Sequence, residues 1–120
     1  MESKVSLPED IQNRILAELH KGEELRLQGK HGRARVCARR AVGWAVMAYY
    51  QEHVNKPSPS SAFDAIRTMI DDEEADLEVR NMLPHFVQRL EKDSRDGDSY
   101  WPLEVDLIEI ARKIIEQLTG

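Results

Sequence analysis

Apolar residues recur at every third or fourth position along most of this 120-residue chain, which is the spacing of one face of an α-helix. Near the start, the apolar stripe consists of Leu7, Ile11, Ile15 and Leu19. No segment alternates apolar and polar residues with the period of two that marks a strand. We therefore predict an all-α fold, an up-and-down bundle of four to five antiparallel helices, in a single domain over residues 1–120.

Prolines, glycines and serines divide this pattern into segments. The predicted helices run from Pro8 to about Gln28, from Arg33 to about His53, from Phe63 to Ile70, from Val79 to Leu90 and from Pro102 to Leu118. We expect Ser6 to cap the first helix, and the serines of the linker 55–61 to act as caps rather than nucleophiles. The second helix is dense in alanine, so we predict a central position for it, where neighbouring helices approach closely.

Composition restricts the class of protein. The chain carries 17 Lys plus Arg against 22 Asp plus Glu, and 41% of its residues are apolar, which is too many for a disordered tail. The longest uncharged apolar run, 41–50, is too short to span a bilayer, and the first ten residues do not resemble a secretory signal. We expect a soluble cytoplasmic protein. A lone Cys37 and four scattered histidines predict no disulfide, no metal site and no cofactor.

The positive charge is concentrated between residues 30 and 40. This segment contains five cations and no acid: Lys30, Arg33, Arg35, Arg39 and Arg40. Cations in the first turn of a helix oppose its dipole, at a cost of about 0.3–1 kcal/mol each. One interpretation is that the four arginines bind an anion, such as a phosphate, a nucleotide or an RNA backbone. The other is that they pair with the acidic run 71–76. A net charge of -5 argues against a protein that coats nucleic acid non-specifically.

One short motif has a definite chemical interpretation. Arg80 supplies a permanent charge and a planar fork that matches phosphate oxygens, and His85, five positions later, supplies an imidazole that can take and return a proton. Together they suffice for RNA cleavage without a metal. The histidine activates the 2′-hydroxyl or protonates the leaving oxygen, while the arginine stabilises the charge on the phosphate. Asn81 can orient the arginine or bind phosphate itself. We expect Pro84 to kink the helix or to start a new segment, and a break at this point can turn His85 toward Arg80.

Asn81 distinguishes this motif from the two other Arg-to-His pairs of similar spacing, because the chain has only three asparagines. The structural alternative stays open. In that interpretation, Arg80 is a surface residue that follows an acidic run, and His85 packs beside a core phenylalanine, Phe86.

Arg80-Asn81-x-x-x-His85, late in a small helical bundle, resembles the signature of the HEPN superfamily (higher eukaryotes and prokaryotes nucleotide-binding domain). The alanine-rich segment 34–50, which ends in two tyrosines, is similar to the inner helix of that family, and the closing helix is similar to its last one. The resemblance implies a homodimer of helical bundles. Active members place the arginine and histidine of both protomers at a shared cleft and act as metal-independent endoribonucleases, often toxins paired with a nucleotidyltransferase antitoxin.

Other HEPN members lack catalysis and bind a partner or a ligand. Two hypotheses therefore stand. In the first, Arg80 and His85 are catalytic, and Asn81 and the four arginines bind RNA or a nucleotide. In the second, the chain is a non-catalytic interaction module, which docks a partner protein or a second copy. The docking surface would consist of Trp44, Tyr49, Tyr50 and Met82.

Overall fold

Five α-helices and one short 3-10 helix follow one another in the computed structural model, which describes residues 6–52, 59–87 and 106–119. The α-helices are α1 (Glu9–Leu27), α2 (His31–Glu52), α3 (Ala62–Ile70), α4 (Leu77–Met82) and α5 (Leu107–Thr119), and the 3-10 helix is Leu83–Phe86. These ranges contain no strand. The predicted all-α helical bundle is confirmed. His53, Leu90 and Pro102, which bound three of the predicted helices, lie outside the described residues.

A three-residue turn makes α1 and α2 an antiparallel pair. Gly29 has φ +81°, the left-handed conformation that glycine adopts without strain, and its N–H donates to the carbonyl oxygen of Arg26 at 3.0 Å. The next N–H, that of Lys30, reaches back to the carbonyl oxygen of Leu25 at 2.9 Å. Because the turn is complete at this point, α2 begins at His31, two residues before the predicted start.

Helix α2 is central, as its alanine content predicts, and it packs against α1, α3, α5 and the 3-10 helix. Its fully buried small side chains are Ala34, Ala38, Ala41 and Ala45. Helices α2 and α3 approach closely at Gly43, where a Cβ atom would lie 2.9 Å from the Cα of Ala62. Helix α3 therefore crosses α2 with no space for a larger residue than glycine at that point.

Polar side chains cap three of the helices. Ser61 accepts a hydrogen bond from the N–H of Asp64 at 3.1 Å, Asp76 accepts one from Glu78, and Asp106 accepts from the start of α5. Ser61 thus caps α3 as predicted. The cap predicted at Ser6 is wrong: Pro8 is the N-cap residue of α1, and α1 has no side-chain cap.

The core lies between α2 and the elements around it. Its largest fully buried side chains are Val42, Val46, Ile66, Met69, Val79, Leu83, Phe86, Ile108 and Ile114. None of the helices in the described ranges combines the length and the apolar character needed to cross a bilayer.

Candidate phosphate-binding site

Arg80 lies in the last turn of α4, and its guanidinium is held by main chain. Its Nε–H donates to the carbonyl oxygen of Ile70 at 3.2 Å. Ile70 is the last residue of α3, so this carbonyl belongs to the group that an α-helix leaves without an internal partner. Within residues 6–52, 59–87 and 106–119, the two terminal nitrogens of Arg80 have no hydrogen-bond partner. The half-buried guanidinium is therefore oriented through one nitrogen, and the described residues supply no acceptor for its other two.

A new segment begins at Pro84, as predicted: α4 ends at Met82, and Pro84 lies in the 3-10 helix that follows. Pro84 is the second residue of the 3-10 helix, where its missing N–H removes no hydrogen bond. Met82 (φ -89°, ψ -26°) and Leu83 (φ -62°, ψ -33°) keep a right-handed helical backbone through the junction. The backbone passes from α4 into the 3-10 helix without a reversal, so the junction at Pro84 does not by itself turn His85 toward Arg80.

Helix geometry sets the relative directions of Arg80 and His85. Five steps along an α-helix separate two side chains by about 140°, and 3-10 geometry over the last steps widens that to about 180°. The fully buried residues of the same segment are Val79, Leu83 and Phe86, which form its core-facing side. The backbone of one chain therefore directs Arg80 and His85 to opposite flanks of this buried face.

His85 is half-buried and is tied to α2 through its main chain. Its carbonyl oxygen accepts a hydrogen bond from a terminal nitrogen of Arg35 at 3.5 Å, the long limit for such a bond. In the described part of the chain, its imidazole has no hydrogen-bond partner. Arg35 is only 7% exposed. The structure thus brings one arginine of the basic segment to the histidine of the motif, and the contact fixes the 3-10 helix rather than the imidazole.

The four arginines predicted as one anion-binding cluster lie on two sides of α2. Arg35 and Arg39 are one turn apart, and Arg39 lies over the ring of Phe63, with 5.7 Å between the guanidinium carbon and the ring centroid. Burial and the neighbouring Arg40 lower the pKa of Arg39. Arg33 and Arg40 are two turns apart on the side that faces α1. The four arginines therefore do not form one continuous phosphate-binding surface.

Arg40 has an acidic partner on α1 rather than in the acidic run. Its guanidinium lies 3.4 Å from a carboxylate oxygen of Glu18, which is 16% exposed. In the run itself, Asp72 accepts a hydrogen bond from the hydroxyl of Tyr50 at 2.8 Å. The acidic run therefore contacts α2 through the hydrogen bond between Asp72 and Tyr50.

The second hypothesis placed Tyr49 and Tyr50 on an exposed docking surface, and this prediction is wrong because both are buried. Tyr49 and Tyr50 are 8% and 3% exposed, and their rings pack edge to face with centroids 5.1 Å apart. Trp44 and Met82 are half-buried. The tyrosine pair belongs to the core, because α2 is covered on the side where the pair lies.

Cys37 is a buried structural thiol. Burial raises the pKa of Cys37 to about 11, and a hydrogen bond to Glu18 and repulsion from its carboxylate add to the shift. At neutral pH the side chain is therefore the protonated thiol and not the reactive thiolate. No cluster of three or more His, Cys, Asp or Glu side chains placed to hold a metal ion occurs in the described ranges.

Comparisons of the chain with models of known protein families, with curated proteins and with solved structures found no match. The resemblance to the HEPN superfamily therefore rests on Arg80, Asn81, His85 and the order of the helices. Sequence reasoning missed the Ile70 carbonyl that orients Arg80, because every residue type carries the same main-chain acceptor.

Proposed function

We propose that this chain is a HEPN-type helical domain that binds a phosphate group of RNA or of a nucleotide through Arg80. The observation that supports this proposal is the hydrogen bond from Arg80 Nε to the Ile70 carbonyl. It limits the rotation of the guanidinium before any ligand arrives, so less side-chain entropy is lost on binding. Asn81, the next residue, is exposed and adds an amide donor for a phosphate oxygen.

His85 extends this proposal from binding to cleavage. Its imidazole takes the proton from a 2′-hydroxyl or returns one to the leaving oxygen, and Arg80 stabilises the charge that develops on the phosphate. Because the backbone directs the two side chains of one chain to opposite flanks, we propose that the working site forms in a homodimer. Each cleft would then combine Arg80 of one protomer with His85 of the partner subunit.

Metal-free RNA cleavage is the direct test. Purified chain is incubated with single-stranded RNA in excess EDTA, and we expect products ending in a 2′,3′-cyclic phosphate. Arg80→Ala and His85→Ala each abolish the products, whereas Arg112→Ala, which removes an exposed arginine of α5, leaves them unchanged. Equal cleavage by wild type and His85→Ala would refute the nuclease proposal.

Mixing the two inactive variants tests the shared cleft. Co-refolded Arg80→Ala and His85→Ala chains form mixed dimers in which one of the two clefts keeps both side chains. We expect about one quarter of the wild-type activity, since about half of the dimers are mixed and each has one intact cleft. If each cleft draws both residues from the same chain, the mixture stays inactive.

The separation of Arg80 and His85 on the segment also favours the non-catalytic alternative. In that case Arg80 binds a phosphate without cleavage, and the domain serves as a partner-binding module, for example beside a nucleotidyltransferase. Fluorescence anisotropy with a labelled oligonucleotide distinguishes the two functions. Binding that depends on Arg80 but not on His85, with no cleavage, supports the module; binding independent of Arg80 refutes the phosphate site itself.

A further inference from the structure

The face of α2 that meets α1 carries a concave pocket lined by cations. The residues that line it are Lys21 and Leu25 of α1 and Arg33, Val36, Cys37 and Arg40 of α2, around a volume of about 290 Å³. The four α2 residues follow the spacing of a single helix face, and Lys21 and Leu25 are one turn apart on α1. Two helix faces therefore build the pocket together, and neither sequence segment reveals it alone.

Positive charge exceeds negative charge around this pocket. Lys21 and Arg33 are exposed, and the described residues offer neither side chain a hydrogen-bond or ion-pair partner. Arg40 has Glu18 at 3.4 Å, so three cations stand against one carboxylate in a protein whose net charge is -5. Like charges around one concavity repel one another, and an anion in the pocket relieves that repulsion.

The lining also contains an apolar floor. Leu25 and Val36 are half-buried and Cys37 is buried, while the cations stand at more exposed positions around them. The volume lies just below the range of about 300–1,000 Å³ that small-molecule sites occupy, so only a small ligand fits. A ligand that contacts both the apolar floor and the surrounding cations has a compact apolar body and a strongly anionic group.

This pocket is separate from the Arg80 site. On α2, Arg35 is directed about 150° away from the mean direction of the four lining residues, given about 100° per residue. Arg35 is the residue of α2 that contacts the carbonyl of His85. The pocket and the 3-10 helix that carries the histidine therefore lie on opposite sides of α2.

We propose that the pocket between α1 and α2 binds a small organic phosphate monoester, with the phosphate held by Lys21, Arg33 and Arg40 and the apolar body placed against Leu25 and Val36. Arginine and lysine both bind phosphate, the first through its fork and the second as a point charge. The proposal does not depend on RNA cleavage or on Arg80.

Phenyl phosphate is the probe, because it joins a dianion to a compact apolar ring. The full chain, labelled with ¹⁵N, is titrated at pH 7.5 and low salt while amide shifts are followed. We expect saturable shifts at the amides of Leu25, Arg33 and Val36. Inorganic phosphate, which lacks the ring, binds about tenfold more weakly, and benzyl alcohol, which lacks the charge, does not saturate.

A matched pair of double variants distinguishes loss of the pocket cations from loss of the same net charge elsewhere on the protein. Lys21→Ala with Arg33→Ala removes one lysine and one arginine from the pocket, and we expect binding about tenfold weaker. Arg112→Ala with Lys113→Ala removes the same charges from exposed positions of α5 and leaves binding within about twofold. All four substitutions place alanine in a helix, which favours the fold.

Three results would overturn the proposal: no saturable shift with phenyl phosphate, equal weakening by the two double variants, or shifts centred on Arg80 and Asn81. The last of these would support the Arg80 site while refuting this pocket, so the two proposals fail separately.

Discussion

The Nε–H of Arg80 donates a hydrogen bond of 3.2 Å to the carbonyl oxygen of Ile70, and this bond ties the end of α4 to the end of α3. It satisfies a carbonyl that α3 leaves unpaired, and it fixes the plane of the guanidinium. One contact thus serves both the packing of two helices and the orientation of the residue most able to bind phosphate.

Arg80→Lys tests whether phosphate binding needs the oriented guanidinium of Arg80 or only its positive charge. Lysine keeps the positive charge but places all its donors on one nitrogen, so it cannot bond to the Ile70 carbonyl and also bind a phosphate through a planar, two-nitrogen fork. We expect oligonucleotide affinity, measured by fluorescence anisotropy, to fall about tenfold, and the free energy of unfolding to fall by about 1 kcal/mol. Arg112→Lys, at an exposed position of α5, is the matched control and should change neither quantity. Unchanged affinity in Arg80→Lys would show that simple charge, not an oriented guanidinium, binds the phosphate.

Gly43→Ala should destabilise the bundle. The added Cβ would fall against Ala62, within 2.9 Å of its Cα and 3.2 Å of its carbonyl carbon, and a backbone cannot yield without moving α3. We expect a net loss of about 1–3 kcal/mol in urea unfolding, even after the gain in helix propensity from glycine to alanine.

Gly22→Ala provides the comparison. There the nearest atom to the added Cβ is the Cδ1 of Ile108 at 2.7 Å, the end of a flexible side chain, with the Cβ of Cys37 at 3.1 Å. A rotamer change of Ile108 relieves the first contact, so we expect a smaller loss than at Gly43. An equal or larger loss at Gly22 would mean that α1, α2 and α5 pack more rigidly than α2 and α3.

Tyr50→Phe should cost about 1.5–3 kcal/mol, the range for a hydrogen bond to a charged group. Tyr50 is 3% exposed, and its hydroxyl donates to the carboxylate of Asp72 at 2.8 Å. The substitution keeps the ring and removes only the donor. Tyr49→Phe, on the neighbouring ring, is the comparison by thermal and urea unfolding. A loss below about 0.5 kcal/mol at Tyr50 would show that water replaces the hydroxyl, against its buried position.

Cys37 should be unreactive in the folded protein. Since burial and Glu18 raise its pKa to about 11, its thiolate fraction at pH 8 is about a hundredfold below that of an ordinary thiol. Alkylation by iodoacetamide, followed by mass spectrometry, should be slower by at least about that factor until denaturant is added. Rapid alkylation of the native chain would contradict the burial of this thiol.

The same shift makes stability depend on alkaline pH. The folded state raises the pKa of Cys37 from 9.0 to about 11, so the unfolded chain releases this proton first. The contribution of Cys37 is fully present below pH 9 and is lost as the pH rises toward 11. Burial and Asp72 also raise the pKa of Tyr50 above its ordinary value of 10.0, which adds to the loss above pH 10. In Cys37→Ala, urea unfolding should show a shallower decline between pH 9 and 11.

The sequence by itself determined the helical class and most of the helix positions, because both arise from local patterns. The three-to-four-residue spacing of apolar side chains produced α1 to α5, and the Ser61 cap requires only the N–H of a residue three positions away. The alanine content of α2 also predicted its central place, since small side chains permit close helix packing.

Only the tertiary structure decided which side chains meet, because contacts across the bundle depend on how each helix is rotated against its neighbours. Packing divided the basic segment into two faces, with Arg35 directed to the 3-10 helix and Arg33 and Arg40 to α1. It also buried Tyr49 and Tyr50. Residue spacing along one helix contains no information on these rotations, which follow from the apolar surface that all the helices bury together.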